Sequence, residues 1–318
     1  MASRKRPEVV SLFLHRVVTN LAELLKQHLA TPDKVLYRQY VDDQWRDFTA
    51  GDIATLVARW QRAFRDHGFE RGDRVAICLK NSTQWVALDM AALGMGLVVV
   101  PLYINDNADN IAYCVNHSEA RLLILENVRM LESLRRSLAK PPLILCLQAE
   151  PGKNVVRVED WLPADAGSFE VAEVEPDTLA TIVYTSGTTG RPKGAKLSHR
   201  NILSNVEAIQ DVVSLYDTDL LISVLPLSHM FERTCGYYLP LKRGLTVAYA
   251  RGIQQMGEDL AAIRPTILIA VPRVFQRFLA RIEQGLSGSL IKRELFDFTV
   301  KCGWRLYAGE ASPLERIA

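Results

Sequence analysis

Apolar residues along this chain follow two different periods. After Phe48, the residues Ile53, Leu56, Val57, Trp60 and Phe64 recur at helical spacing, Thr49 stands as an N-cap with Asp52 three positions on, and Gly68 supplies a stop. Beyond that point short, wholly apolar runs predict strands at 75–79, 97–100, 122–125 and 143–147, with helices at 84–93, 109–115 and 128–138 between them. Strands that are apolar on both faces belong in a parallel sheet covered by helices. Residues 151–176, rich in Pro, Gly and acidic side chains, carry no sustained period and read as an irregular connection to a further strand at 179–184. The alternation then resumes, with a helix at 200–213, strands at 220–224 and 245–249, a helix at 256–263, a strand at 266–271 and a helix at 273–283. The residues from Ser312 onward read as the opening of another helix. The class is α/β.

Composition narrows the function without choosing it. The 318 residues include 38 basic and 36 acidic side chains, a formal net charge of +2 that argues against a nucleic-acid partner. The most membrane-like run, Trp85 to Leu102, contains Asp89, is interrupted by Gly94 and Gly96 and ends at Pro101, so a helix turning into a buried strand explains it better than a span. The 5 cysteines are scattered, a pattern that fits neither a disulfide framework nor a zinc site and suits a reducing compartment. The N-terminal run Val9 to Leu14 is cut short by His15 and Arg16 with no cleavage site after it, and the expectation is a cytoplasmic protein.

One stretch carries chemistry: Tyr184-Thr185-Ser186-Gly187-Thr188-Thr189-Gly190-Arg191-Pro192-Lys193-Gly194, directly after an apolar strand. Its glycines let backbone N–H groups converge on a ligand, its hydroxyls add donors, and Lys193 adds a mobile positive charge, all suited to a polyphosphate. It aligns with neither the Walker A loop nor the Gly-x-Gly-x-x-Gly of dinucleotide folds. The alternative for such a composition is a flexible surface loop. Several other patterns lose: His28 to Asp33 matches an acyltransferase His-x-x-x-x-Asp but sits at a helix end beside Pro32, Gly94-Met95-Gly96 lacks a third glycine, and Gly-x-Ser-x-Gly is absent.

The order of residues in that stretch resembles the signature loop of the acyl-adenylate-forming (AMP-binding) superfamily. Pro226-Leu227-Ser228-His229-Met230-Phe231-Glu232-Arg233 and Val271-Pro272-Arg273-Val274-Phe275 resemble further motifs of its long-chain fatty acyl-CoA synthetase branch, and Gly72 to Ile77 with Val100 to Tyr103 also fit. The resemblance implies that Thr185, Ser186, Gly187, Thr188, Thr189 and Gly190 wrap the β- and γ-phosphates of ATP, that Lys193 assists, and that Thr185 helps hold Mg²⁺. It places His229 beside the acyl carboxylate, with His229 and Lys193 as catalytic groups; the alternative for His229 is a buried histidine satisfied by backbone. Tyr237-Tyr238 could line an acyl tunnel, against the plainer reading of ordinary core.

The fold implied is two interleaved α/β subdomains of the adenylate-forming large domain, residues 50–214 for the first and 1–49 with 215–318 for an incomplete second, truncated before the β-barrel and the small C-terminal domain. The family's Tyr-Gly-x-Thr-Glu motif, ribose-binding Asp and adenylation lysine are not found in these residues, so the chain alone is expected to be inactive. The activity implied is that of a long-chain fatty acid:CoA ligase using fatty acid, ATP and CoA. The rivals are an acyl-AMP ligase that passes the acyl group to a carrier protein and a non-catalytic nucleotide- or acyl-binding module. A long-chain substrate is compatible with peripheral membrane contact, and members of the superfamily are often homodimers.

Overall fold

The capping expectation at Thr49 is met in both directions. Its hydroxyl accepts from the Asp52 amide at 3.1 Å, and the Asp52 carboxylate accepts from the Thr49 amide at 2.8 Å, opening the helix Ala50–Asp66. That helix buries Ile53, Val57, Trp60 and Phe64, and Gly68, at φ +66°, turns the chain out of it.

The computed structural model describes residues 18–149, 155–185, 190–310 and 312. Among these, the strands in chain order are β1 (Val35–Val41), β2 (Gln44–Thr49), β3 (Arg74–Cys78), β4 (Val98–Pro101), β5 (Leu122–Asn127), β6 (Leu143–Gln148), β7 (Val156–Arg157), β8 (Leu179–Thr185), β9 (Lys193–Ser198), β10 (Leu220–Ser223), β11 (Thr246–Tyr249) and β12 (Ile267–Leu268). Seven form one sheet in the order β7-β6-β5-β3-β4-β8-β9, parallel except for the antiparallel pair β8–β9. The other five form a second sheet, β12-β10-β11-β1-β2, parallel except for β1–β2.

The helix Thr83–Gly94 is tied to β1, where the Thr83 amide donates to Gln39 Oε1 at 2.9 Å. Apart from Gln84 every residue in it is buried, as expected of a helix that is apolar all round. Ser82 caps it, accepting from the Trp85 amide at 3.2 Å. Its single carboxylate, Asp89, is fully buried.

The structure departs from the sequence expectations in several places. The hairpin β1–β2 was not expected, because its strands mix polar and apolar residues; its signal is Asp42-Asp43, both at positive φ (49° and 59°), the geometry of a tight hairpin turn. Within the connection 151–176, Val156–Arg157 joins the sheet edge and Val158–Trp161 forms a short helix whose Trp161 packs on Trp60 at 5.6 Å. The strand expected at 266–271 shortens to Ile267–Leu268.

The chain divides into two compact units, Met1–Ile269 and Ala270–Ala318. The second contains the helix Pro272–Leu286 and a helix that was not expected, Leu290–Tyr307, whose start is capped by Ser289 accepting from the Lys292 amide at 3.4 Å. The helix opening expected from Ser312 lies mostly outside the described residues. No described helix is long and apolar enough to cross a membrane.

Candidate active site

The signature stretch is the connection of a β-hairpin. Strand β8 ends at Thr185, which pairs with Lys193 at the start of antiparallel β9, so the two residues face each other across the hairpin mouth. Both are exposed. Gly190 stands at φ +133°, a backbone conformation that only glycine adopts without strain. Ser186, Gly187, Thr188 and Thr189 lie outside the described residues.

Both flanks of this connection rest on the helix Ala108–Ser118. Tyr184, the residue before Thr185, hydrogen-bonds through its hydroxyl to His117 Nδ1 at 2.8 Å, and its ring meets the imidazole edge-on at 5.8 Å. Arg191, on the other flank, lies over the Tyr113 ring at 5.3 Å, and Tyr113 stacks on His117 at 5.4 Å. Sequence reasoning missed Tyr113 and His117, which lie about seventy residues upstream of the loop they brace.

His229 lies on the connection that follows β10. It is exposed, which excludes the alternative of a buried histidine. Its Nδ1 accepts from the Phe231 amide at 3.2 Å, capping the short helix Met230–Glu232, while its own amide donates to the Pro226 carbonyl at 2.9 Å. An Nδ1 that accepts leaves the ring proton on Nε2, so the neutral imidazole presents an N–H donor. Asn81, just beyond β3, locks this connection from the other sheet: its amide nitrogen donates to Ser223 Oγ at 3.0 Å and to the Leu225 carbonyl at 2.7 Å, and its oxygen accepts from the Leu227 amide at 2.9 Å.

Between the carboxyl ends of the two sheets opens a crevice of about 510 Å³, lined among others by Asn81, Tyr103, Glu126, Ser223, Ser228 and Arg251. Ligands of α/β folds bind at this position, outside the carboxyl ends of the strands. Tyr237 and Tyr238 do not line it. They are wholly buried, stacked at 4.5 Å, and both hydroxyls donate to Asp89 Oδ2, at 3.1 and 2.8 Å. The plainer reading of this pair, as core, therefore stands, although the core here is polar.

Burial shifts the acidity of several groups at and behind the site. Burial pushes Glu232 up to about 7, against a hydrogen bond from Ser223 Oγ at 2.6 Å that pulls it down. Burial lowers His199 to about 4, with the charge of Arg233 adding to it; its Nδ1 accepts from the Leu21 amide at 3.1 Å. Burial also pushes the thiols of Cys78 and Cys114 up to about 12, which leaves neither as a ready nucleophile. Among the described residues, no group of three or more His, Cys, Asp or Glu could hold a metal ion.

The description "AMP-binding enzyme" fits the family model that matches residues 25–314. The chain belongs to the AMP-binding enzyme family. It is 31% identical over 291 residues to the peroxisomal long chain acyl-CoA synthetase 6 of Arabidopsis thaliana, covering 86% of this chain and 41% of that protein. It is 30% identical over 284 residues to the long-chain-fatty-acid–CoA ligase FadD15 of Mycobacterium bovis, covering 85% of this chain and 46% of that one. The chain thus spans under half the length of these curated relatives. Among solved structures, ATP-bound MatB from Rhodopseudomonas palustris matches with a TM-score of 0.72 at 25% identity, over 82% of this chain and 51% of that one. The anthranilate CoA ligase AuaEII, solved with anthranoyl-AMP, matches with a TM-score of 0.76 at 21% identity over the same shares. The architecture described above is therefore that of the N-terminal part of AMP-binding ligases.

Proposed function

We propose that this chain supplies the phosphate-binding hairpin and the acid-binding wall of an AMP-forming long-chain fatty acid:CoA ligase. The observation that carries the reading is the signature hairpin itself, with Thr185 opposite Lys193 at its mouth and both flanks braced. The relatives' printed names support the long-chain acid as substrate.

In this reading residues 185–190 and Lys193 hold the β- and γ-phosphates of ATP. One charge-assisted hydrogen bond of this kind contributes about 1.5–3 kcal/mol. Bound with the phosphates, Mg²⁺ would supply further charge neutralisation, and the Thr185 hydroxyl, a hard oxygen donor at the exposed end of β8, is the side chain suited to hold it. A carboxylate oxygen of the acid attacks the α-phosphorus, an O–P bond forms, and the α–β P–O bond breaks as pyrophosphate leaves with the electron pair. The His229 Nε2–H donates to the acid's carboxylate and orients it for that attack. The CoA thiolate then attacks the acyl carbon and AMP leaves.

The test is exchange of labelled pyrophosphate into ATP with hexadecanoate, octanoate or no acid, measured on this chain and on the whole product of its gene. The expected result for the whole product is acid-dependent exchange, greater with hexadecanoate, and no exchange by the 318-residue chain alone. A whole product that exchanges with neither acid overturns the reading.

A further inference from the structure

Glu232 and Arg233 sit directly behind the His229 turn, and they reach in opposite directions. Glu232 accepts from Ser223 Oγ on β10, in the five-stranded sheet. Arg233 points into the other half of the fold: one guanidinium nitrogen, Nη2, donates to Asp89 on the helix Thr83–Gly94, and the other, Nη1, donates to Thr181 Oγ1 on β8 at 2.9 Å. Thr181 in turn donates to the Val99 carbonyl on β4 at 2.6 Å. Glu232, Arg233, Asp89 and Thr181 are all excluded from solvent.

The arrangement is symmetric about that one hydrogen bond. Thr181 lies four residues before Thr185 on the same face of a strand, about 13 Å along it. Arg233 lies four residues after His229, and its amide donates to the His229 carbonyl at 3.0 Å, one helical turn away. The segment that follows, Arg233–Tyr238, is π-helical, a geometry that is rare and recurs at functional sites. Within it Gly236 packs against Glu232, and a Cβ there would force the Glu232 carboxylate to move.

Resting on the reading of the site given above, we propose that Arg233 is a positioning residue that couples the phosphate-binding hairpin to His229 through the Arg233–Thr181 hydrogen bond. A bidentate guanidinium can hold Asp89 and Thr181 at once in a fixed plane; a lysine can satisfy the carboxylate but not span both partners. The fork therefore fixes where the His229 turn stands relative to β8, and with it the ring that faces the acid.

The experiment is nitrogen-15 NMR of histidine-labelled chain, with the His229 signals assigned by their loss in His229→Gln. Without ligand, the wild-type ring is expected as a single Nε2–H tautomer. In Arg233→Lys, and in Thr181→Val in case the lysine variant does not fold, the His229 signals are expected to move toward averaged tautomers while the melting transition is retained. With MgATP, the wild-type His229 signals are expected to shift, and in Thr181→Val the nucleotide is expected to bind within threefold of wild type with that shift reduced by half or more. Unchanged His229 signals in the folded variants, free and with MgATP, overturn the proposal. If the wild-type chain binds no MgATP, the phosphate-hairpin reading fails, and the ligand-free tautomer comparison still decides the role of Arg233.

Discussion

The hairpin mouth and the core behind it are built in opposite ways. Thr185, Gly190 and Lys193 at the mouth, and His229 on the connection after β10, are exposed, as the proposed ligand contacts require. Asp89, Thr181, Glu232 and Arg233 are polar and wholly or almost wholly enclosed, and their hydrogen bonds run from one sheet to the other. In the function proposed above, the first region supplies the ligand contacts and the second holds their geometry. A buried pair of this sort is often no more stabilising than a well-packed apolar one, but it is costly to break from one side. Such a pair suits a joint whose value is geometric.

The contrast can be broken most forcefully at Asp89. Asp89→Ala leaves the Arg233 charge enclosed without its carboxylate and two tyrosine hydroxyls without their acceptor. Urea unfolding is expected to register a loss of about 3–5 kcal/mol. A loss under about 1 kcal/mol would mean that the network is incidental to the fold.

Glu232 gives the next largest effect, and it depends on pH. Its folded value, raised to about 7 from 4.5, means that the folded chain holds a proton the unfolded chain has released. Its contribution is complete below about pH 4.5 and is lost as the pH rises through 7, a change of about 3 kcal/mol across the window. In Glu232→Gln this slope should disappear, which a comparison of urea midpoints from pH 5 to pH 8 measures; parallel wild-type and variant curves would contradict the assignment. His199 acts in the opposite sense: lowered to about 4, it costs stability as the pH falls from 6.5 toward 4.

At the mouth the expectation reverses. Lys193→Ala should leave stability within about 0.5 kcal/mol, as exposed substitutions do, and lower MgATP affinity by roughly tenfold to a hundredfold, the equivalent of one charge-assisted bond. Calorimetric titration beside a thermal melt separates the two. Equal losses in stability and affinity would erase the distinction between the regions. The smallest effect is a control remote from both: Thr49→Ala removes the cap of Ala50–Asp66 and should cost about 1 kcal/mol in unfolding with no change in MgATP titration.

The two regions also differ in how far the sequence revealed them. The alternation of apolar runs and helical periods exposes the parallel sheet, because strands covered on both faces are apolar throughout, and the capping box at Thr49 and Asp52 marks its helix directly. The signature stretch is legible for a different reason: a motif of this kind is specified by local residue order, which sequence displays. The hairpin β1–β2 was not legible, since its strands are half-polar and only the Asp42-Asp43 turn announces it. Nor was the clamp. Asp89 reads as an interruption in an apolar run and Arg233 as the tail of a motif, and nothing in a one-dimensional pattern joins positions 144 residues apart. Tyr113 and His117, which brace the hairpin flanks, are hidden in the same way.

The most direct test of the account is amide hydrogen exchange of the 318-residue chain with and without MgATP, read peptide by peptide. At a MgATP concentration near the wild-type Kd, the expected result is protection confined mainly to the segment from Tyr184 to Gly194, with a smaller gain over His229 to Tyr238, and loss of most of both in Lys193→Ala. MgATP binding that protects neither segment, or that protects them equally in Lys193→Ala, would contradict the claim that this hairpin holds the nucleotide's phosphates.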